Sequence, residues 1–260
     1  MIPLIASAAA RAYGVVARVL PLQREPFRSL YNAAYFRYKR LEDPFASLLR
    51  TRPDLIEHGH VIDIGANIGY TTLLFASLVQ PPYAVHAVEP DDANITLLRR
   101  NTERSRRRDR IRIYEAAAGV TSGRAFLAVN PVNPTDHRMM TPASRTHHKN
   151  VEVDVIAVDD IAGVEPIAFV KMDVQGFELE VSRGMVRTLD RNPRIAVAIE
   201  YAPAAMADLG FVPTDLLSFY AERGFSFYPL GRPALASVSP EKIATEVTGP
   251  AYVNLLCLRR

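Results

Sequence analysis

The sequence predicts an α/β fold: a mostly parallel sheet with helices packed on both faces, preceded by a helical extension. Three observations predict it. From His60 onward, short β-rich runs alternate with stretches of helix length. Those runs are apolar along both faces, as strands covered on both sides must be. The first of them, VIDI, ends in a turn framed by Gly65 and Gly69 that leads directly into a helix-length run. With 260 residues and 48% hydrophobic content, the chain can bury one large core. The expected division is a helical extension over residues 1–50 and a main domain over residues 51–260.

The extension is rich in Ala, Arg, Leu and Tyr, is broken by Pro21 and Pro26, and reads as two or three helical pieces. Ile5, Ala9, Tyr13, Val16 and Leu20 recur at spacings of three or four, the pattern of an amphipathic helix. Such a face can pack against its own domain, join two copies in a homodimer, or lie on a membrane surface. Arg11 and Arg18 interrupt the apolar run and no basic region precedes it, which argues against a span or a signal peptide.

The alternation then runs VIDIGA to YTTLLFASLV, and AVHAVEP to ANITLLRRNTERS, followed by a third strand, IRIYEAAAG. GRAFLAV and VEVDVIAV could pair as antiparallel strands. They flank residues 130–150, an irregular stretch with Pro131, Pro134, Pro142, His137, His147 and His148, expected to be a substrate-side loop because long loops in compact domains usually cover or bind something. IAFVKMDV leads into one helix with Phe177, Val181, Met185 and Leu189 as its buried stripe, and IAVAIEY is the next strand.

In open parallel sheets, ligands bind at the carboxyl ends of strands near the point where strand order reverses. Gly65 and Gly69 permit a tight turn there and Asn67 tolerates a left-handed backbone, while the following helix offers free amides. A dinucleotide fingerprint needs a glycine where Asn67 stands, so a nicotinamide-dependent oxidoreductase is disfavoured. Glu89, at the end of the second strand, can accept hydrogen bonds from ribose hydroxyls. Asp63, inside the first strand, needs a partner: a ligand amine, the glycine loop, or neighbouring core groups.

DIGANIG, then VEP, then FVKMDVQGFELEV with RGM, then IAVAIEY, resembles the FkbM-type S-adenosylmethionine-dependent methyltransferases, a branch of the Rossmann-like class I methyltransferase fold. The resemblance spans about residues 60–203. KMDVQGFE is the stretch that points to this branch, in which Glu is commoner where Gln175 stands. The resemblance implies S-adenosyl-L-methionine as cofactor and O-methylation of sugars or polyketide-type products. It places Gly65, Asn67 and Gly69 around the methionine portion with Asp63 close by, Glu89 on the ribose, and Ala117 against adenine.

Methyl transfer to a hydroxyl needs an aligned oxygen and an acceptor for its proton. Asp173, at the end of IAFVKMD, is the first candidate base. The competing role is a cap for the next helix. Lys171 and Asp173 project to one face of their strand, which is costly unless both find partners. Glu200 ends the next strand and could share the site. The two carboxylates could bind Mg2+, but no third ligand at fixed spacing accompanies them, so a metal site is not favoured. His137 is a further catalytic candidate on intrinsic pKa, ahead of His147 and His148, and His86 reads as structural. Phe219, Tyr220, Phe225, Phe227 and Tyr228 could stack on a sugar, although core packing is the preferred reading.

Arg99 to Arg112 holds a basic run without aromatic residues, which suits a solvated helix end and disfavours nucleic acid. The lone Cys257 fits a reducing, cytoplasmic compartment, the net charge of +3 argues only weakly for anionic partners, and the resemblance implies a small-molecule or oligosaccharide acceptor. A cofactor-binding protein without catalysis, held at a membrane surface, is the remaining alternative.

Overall fold

The computed structural model describes residues 27–130, 137–142, 149–231 and 235–259. The expected amphipathic helix before Pro21 lies outside them, as do His147 and His148. Two helices, α1 (Phe27–Glu42) and α2 (Phe45–Thr51), precede the first strand. Then follow β1 (His60–Ile64), α3 (Tyr70–Leu78), β2 (Val85–Val88), α4 (Asp92–Glu103) and β3 (Ile111–Tyr114). After a second sheet come β8 (Ile167–Met172), α6 (Glu178–Arg183), α7 (Val186–Arg191), β9 (Ala196–Tyr201), α8 (Pro203–Asp208), α9 (Pro213–Ala221), β10 (Phe225–Pro229), α10 (Pro240–Glu246) and β11 (Val253–Arg259).

The main sheet has the order β10-β11-β9-β8-β1-β2-β3. All its neighbours are parallel except the pairs that β11 makes with β9 and β10. Strand order reverses between β1 and β8, whose carboxyl ends therefore frame the expected ligand crevice. Every residue of β1, β2 and β8 is buried, as strands covered on both faces require. On one face Phe45, Leu48 and Leu49 of α2 and Phe75 of α3 pack against Val61, Phe169 and Ala198. On the other, Leu179, Val181 and Leu189 join Leu216 and Tyr220 over Ile62, Val170 and Val197. Among the described residues no helix is long and apolar enough to cross a membrane.

The second sheet, ordered β4-β7-β5-β6, consists of β4 (Ala117–Gly119), β5 (Gly123–Val129), β6 (Arg138–Met139) and β7 (Lys149–Ala157), followed by the short helix α5 (Val158–Ala162). The expected antiparallel pairing is present, from Gly123 opposite Val155 to Val129 opposite Lys149. Two expectations are corrected. IRIYEAAAG is two strands, because the chain leaves the main sheet after Tyr114 and Ala117 pairs with Val155 instead. The helix after Asp173 is also two, broken at Gly184. A side chain there would place its Cβ 2.0 Å from the carbonyl oxygen of Gly119, so close contact with β4 demands glycine and ends α6. Val181, Met185 and Leu189 are nevertheless buried as expected, whereas Phe177 is only half-buried. Phe219, Tyr220, Phe225 and Phe227 are buried in the core and not free to stack on a ligand, and half-buried Tyr228 packs against the α2 side.

Candidate functional site

Asp63 on β1 stands opposite Lys171 on β8, and this register decides what both do. Asp63 is fully buried. Its Oδ2 accepts from the hydroxyls of Thr71 (2.8 Å) and Thr72 (2.6 Å) at the start of α3, and its Oδ1 faces Lys171 Nζ at 3.4 Å. Lys171 also donates to the carbonyls of Ile64 (3.2 Å) and Gly65 (2.9 Å). Two buried charges thus neutralise each other and fix the turn after β1. Lys171 pairs with Asp63 and not with Asp173, which leaves the latter available.

In that turn Asn67 has φ 50°, in the left-handed region foreseen for it, and Gly69 has φ 93°. Gly65, at φ 72°, lines the cavity and is required for a further reason: a Cβ there would lie 1.9 Å from the Asp173 carbonyl oxygen. The ends of β1 and β8 therefore touch backbone to backbone. Helix α3 begins at Gly69 with no side-chain cap, so its first amides face outward unpaired by a cap.

Glu89 follows β2 and is buried. Its Oε2 accepts from the Asn67 amide (2.8 Å), and its Oε1 from the Asp91 amide (3.1 Å) and Asn94 Nδ2 (3.3 Å). Burial nonetheless pushes its carboxyl up to about 7. Beyond β8, Asp173 Oδ1 accepts from Gln175 Nε2 at 2.9 Å, and the same nitrogen lies 3.5 Å from Glu200 Oε2. Gln175, at φ 55°, bridges the two carboxyls. Burial, then the charges of Asp173 and Glu178, push Glu200 well above the usual carboxylate range.

A cavity of about 390 Å3 runs along these strand ends. Gly65, Asn67, Glu89, Ala117, His137, Asp173 and Glu200 all line it, whereas Asp63 and Gly69 support it from behind. His137 reaches it with both ring nitrogens engaged: Nδ1 accepts from the Asn130 amide (3.1 Å) and Nε2 faces Asp91 at 3.6 Å. That arrangement anchors the start of β6 at the edge of the cavity.

Several contributors escaped the sequence reading. Glu178 is fully buried, and its Oε1 accepts from the amides of Val174 (3.0 Å) and Gly176 (3.3 Å), shaping the turn that carries Asp173. Burial pushes its carboxyl up to about 7. Its place in the KMDVQGFE motif was the available signal. Lys39 of α1, Tyr70 of α3, and Tyr252 and Asn254 near the C-terminus also line the cavity. Nothing in their local sequence marks them. Among the described residues, the one grouping with metal-ligand chemistry is His60, His86 and Glu165. It lies at the opposite, amino-terminal side of the sheet, where His86 Nε2 contacts His60 Nδ1 (3.2 Å) and His86 Nδ1 contacts the Tyr114 hydroxyl (3.0 Å). His86 is thus the hydrogen-bonded structural residue expected of it.

The family model of the methyltransferase FkbM domain matches residues 63–227. A crystal structure of a methyltransferase FkbM from Methylobacillus flagellatus KT is similar at 19% identity and a TM-score of 0.50. The match covers 96% of this chain but 59% of that one, so this chain spans well under two thirds of that protein's length. An O-methyltransferase from Bacillus cereus, solved in complex with SAH, aligns at 14% identity with a TM-score of 0.48, covering 100% of this chain and 93% of that one. No curated protein matches the chain significantly.

Proposed function

Because the chain belongs to the FkbM methyltransferase family, we propose that it methylates a hydroxyl of a carbohydrate, or of a glycosylated or polyketide-type metabolite. Its cofactor is S-adenosyl-L-methionine, which supplies a methyl group on a positively charged sulfonium. The turn from Gly65 to Gly69 and the uncapped start of α3 receive the methionine portion through main-chain amides, supported from behind by Asp63. Glu89 accepts hydrogen bonds from the ribose hydroxyls. Ala117 borders the adenine with apolar surface.

The observation that carries the hydroxyl reading is Asp173 at the mouth of the switch point, lining the cavity with its carboxylate turned to Gln175 and bridged to Glu200. A carboxylate there takes up the proton that an alcohol loses on methylation. The polar lining also favours an acceptor with several hydroxyls: Gln175, Glu200, Asn254 and the half-exposed Tyr252, which offers a ring face at the rim.

The test is transfer of labelled methyl from the cofactor onto oligosaccharide and polyketide extracts, with and without EDTA, by the native protein and Asp173→Asn. Retained cofactor affinity with turnover lowered roughly 100- to 10,000-fold, the range for a general base, supports the assignment. Native rates in the variant, or methyl groups found on nitrogen or carbon, overturn it.

A further inference from the structure

We infer that the end of the sheet opposite the cavity is a docking face for an anionic lipid bilayer, held by guanidinium contacts from Arg104, Arg106, Arg107 and Arg108 to headgroup phosphates. This surface is separate from the methyl-transfer site and does not depend on which acceptor is methylated.

Because β1, β2, β3, β8 and β9 run parallel, the loops that enter them gather at one end of the sheet, and the cavity lies at the other. The loop entering β3 carries the basic run. Its four arginines are exposed, and among the described residues their side chains make no ion pair or hydrogen bond. Exposed Glu103 and Asp109 flank them without pairing, so four cations meet solvent beside two carboxylates in a chain whose net charge is only +3. The negative end of α4 accounts for Arg100 and Arg104, in its last turn and directly after it. Arg106, Arg107 and Arg108 lie beyond that reach.

Their turn is held in place at both ends. The Ser105 amide donates to the Thr102 carbonyl (2.9 Å), the Arg107 amide to Ser105 Oγ (3.1 Å) and the Arg108 amide to the Ser105 carbonyl (3.3 Å). Arg110 then reaches across to the Val79 carbonyl at 2.6 Å, fastening this loop to the one that enters β2. Arg104, Arg106 and Arg108 border one open hollow with Ser105 in its wall. Guanidinium groups so placed can take a phosphate through paired N–H donors.

The surroundings favour a bilayer over other polyanions. Single-stranded nucleic acid calls for aromatic platforms among the cations, and none stands between Arg99 and Arg112. A protein partner calls for an apolar centre inside a polar rim, yet of the exposed large hydrophobic residues only Val164 lies in the loops entering β2, β3 and β8. An anionic leaflet needs no such centre, since each cation near it adds its own attraction.

The test is co-sedimentation of the full chain, at low ionic strength, with vesicles of phosphatidylcholine alone or mixed equally with phosphatidylglycerol. The native chain partitions onto the anionic vesicles and is released by added salt. Arg106→Gln/Arg107→Gln/Arg108→Gln lowers that partitioning roughly a hundredfold, at about fivefold per charge. Arg40→Gln/Arg124→Gln/Lys242→Gln, which removes the same charge from α1, β5 and α10, leaves it nearly unchanged. S-adenosylhomocysteine affinity by calorimetry stays native in both. If the first variant does not fold, Arg107→Glu carries the same test with a loss of roughly thirtyfold. Equal binding to neutral vesicles, partitioning that persists in the arginine variant, or an equal loss in the control variant overturns the inference. So does binding of polyglutamate or single-stranded RNA through these arginines while the vesicles are ignored. Each of these results leaves the methyltransferase reading standing.

Discussion

Cofactor affinity is expected to depend on pH through Glu89. Its burial places its carboxyl near 7 despite the amide bonds from Asn67 and Asp91. Only the carboxylate presents its full set of acceptor lone pairs to ribose hydroxyls. With a midpoint near 7, about nine-tenths of the protein is ionised at Glu89 at pH 8 and about one-tenth at pH 6, so S-adenosylhomocysteine binds roughly tenfold more weakly at pH 6, a loss of about 1.4 kcal/mol. Stability moves the other way. The folded-state midpoint is raised, so the cost of the buried charge is present above about 7 and is relieved as pH falls from there toward the usual carboxylate value. Calorimetric titration at both pH values, in buffers of differing ionisation enthalpy, measures affinity and proton release together. Glu89→Gln should bind weakly with no slope. A flat native profile, or a slope surviving in the Gln variant, refutes the assignment of Glu89 to the ribose.

Other outcomes follow from the same structure. Gly65→Ala combines a positive φ with a Cβ 1.9 Å from a backbone carbonyl, so urea unfolding should show a loss of more than about 2 kcal/mol, or no soluble protein. His86 is held neutral, its midpoint lowered to about 4 by burial and then by His60. It therefore costs stability progressively as pH falls from about 6.5 to 4, by about 3 kcal/mol, and a His86→Phe variant compared with the native protein by urea unfolding should show a shallower acid loss. Phe75→Ala, which empties the contact among α2, α3 and Phe169, should cost about 3–5 kcal/mol in the same assay. Tyr70→Phe removes the bond to Asp43 and should lower stability by about 1 kcal/mol while leaving the far-ultraviolet spectrum unchanged.

The sequence made legible those features whose cause is local. Runs such as VIDI and IAFVKM are apolar on both faces because helices cover both, and this alone announces a parallel sheet. Asn67 and Gly69 declared a left-handed turn, and Glu89 its distance from it. What stayed hidden depends on contacts between distant segments. The break at Gly184 exists because β4 passes against it, and β4 itself was read as the tail of β3. The alternating burial of β10 and the insertion of β11 beside β9 were not anticipated, since either run could have been a helix end. Gly65 was expected to permit a tight turn, and its close contact with the Asp173 carbonyl is a second demand that the local sequence does not show. Lys39 and Glu200 are separated by most of the chain, and no spacing rule links them.

That backbone contact between Gly65 and Asp173 ties two tasks to one joint. The bend proposed to receive the sulfonium donor and the bend proposed to present the base are pressed together without an intervening side chain, so a shift in one drags its neighbour. Under the proposed function, enlarging the repertoire toward bulkier alkyl donors must then proceed through walls outside this joint, such as Tyr252 or the helix bearing Lys39, with the joint left untouched.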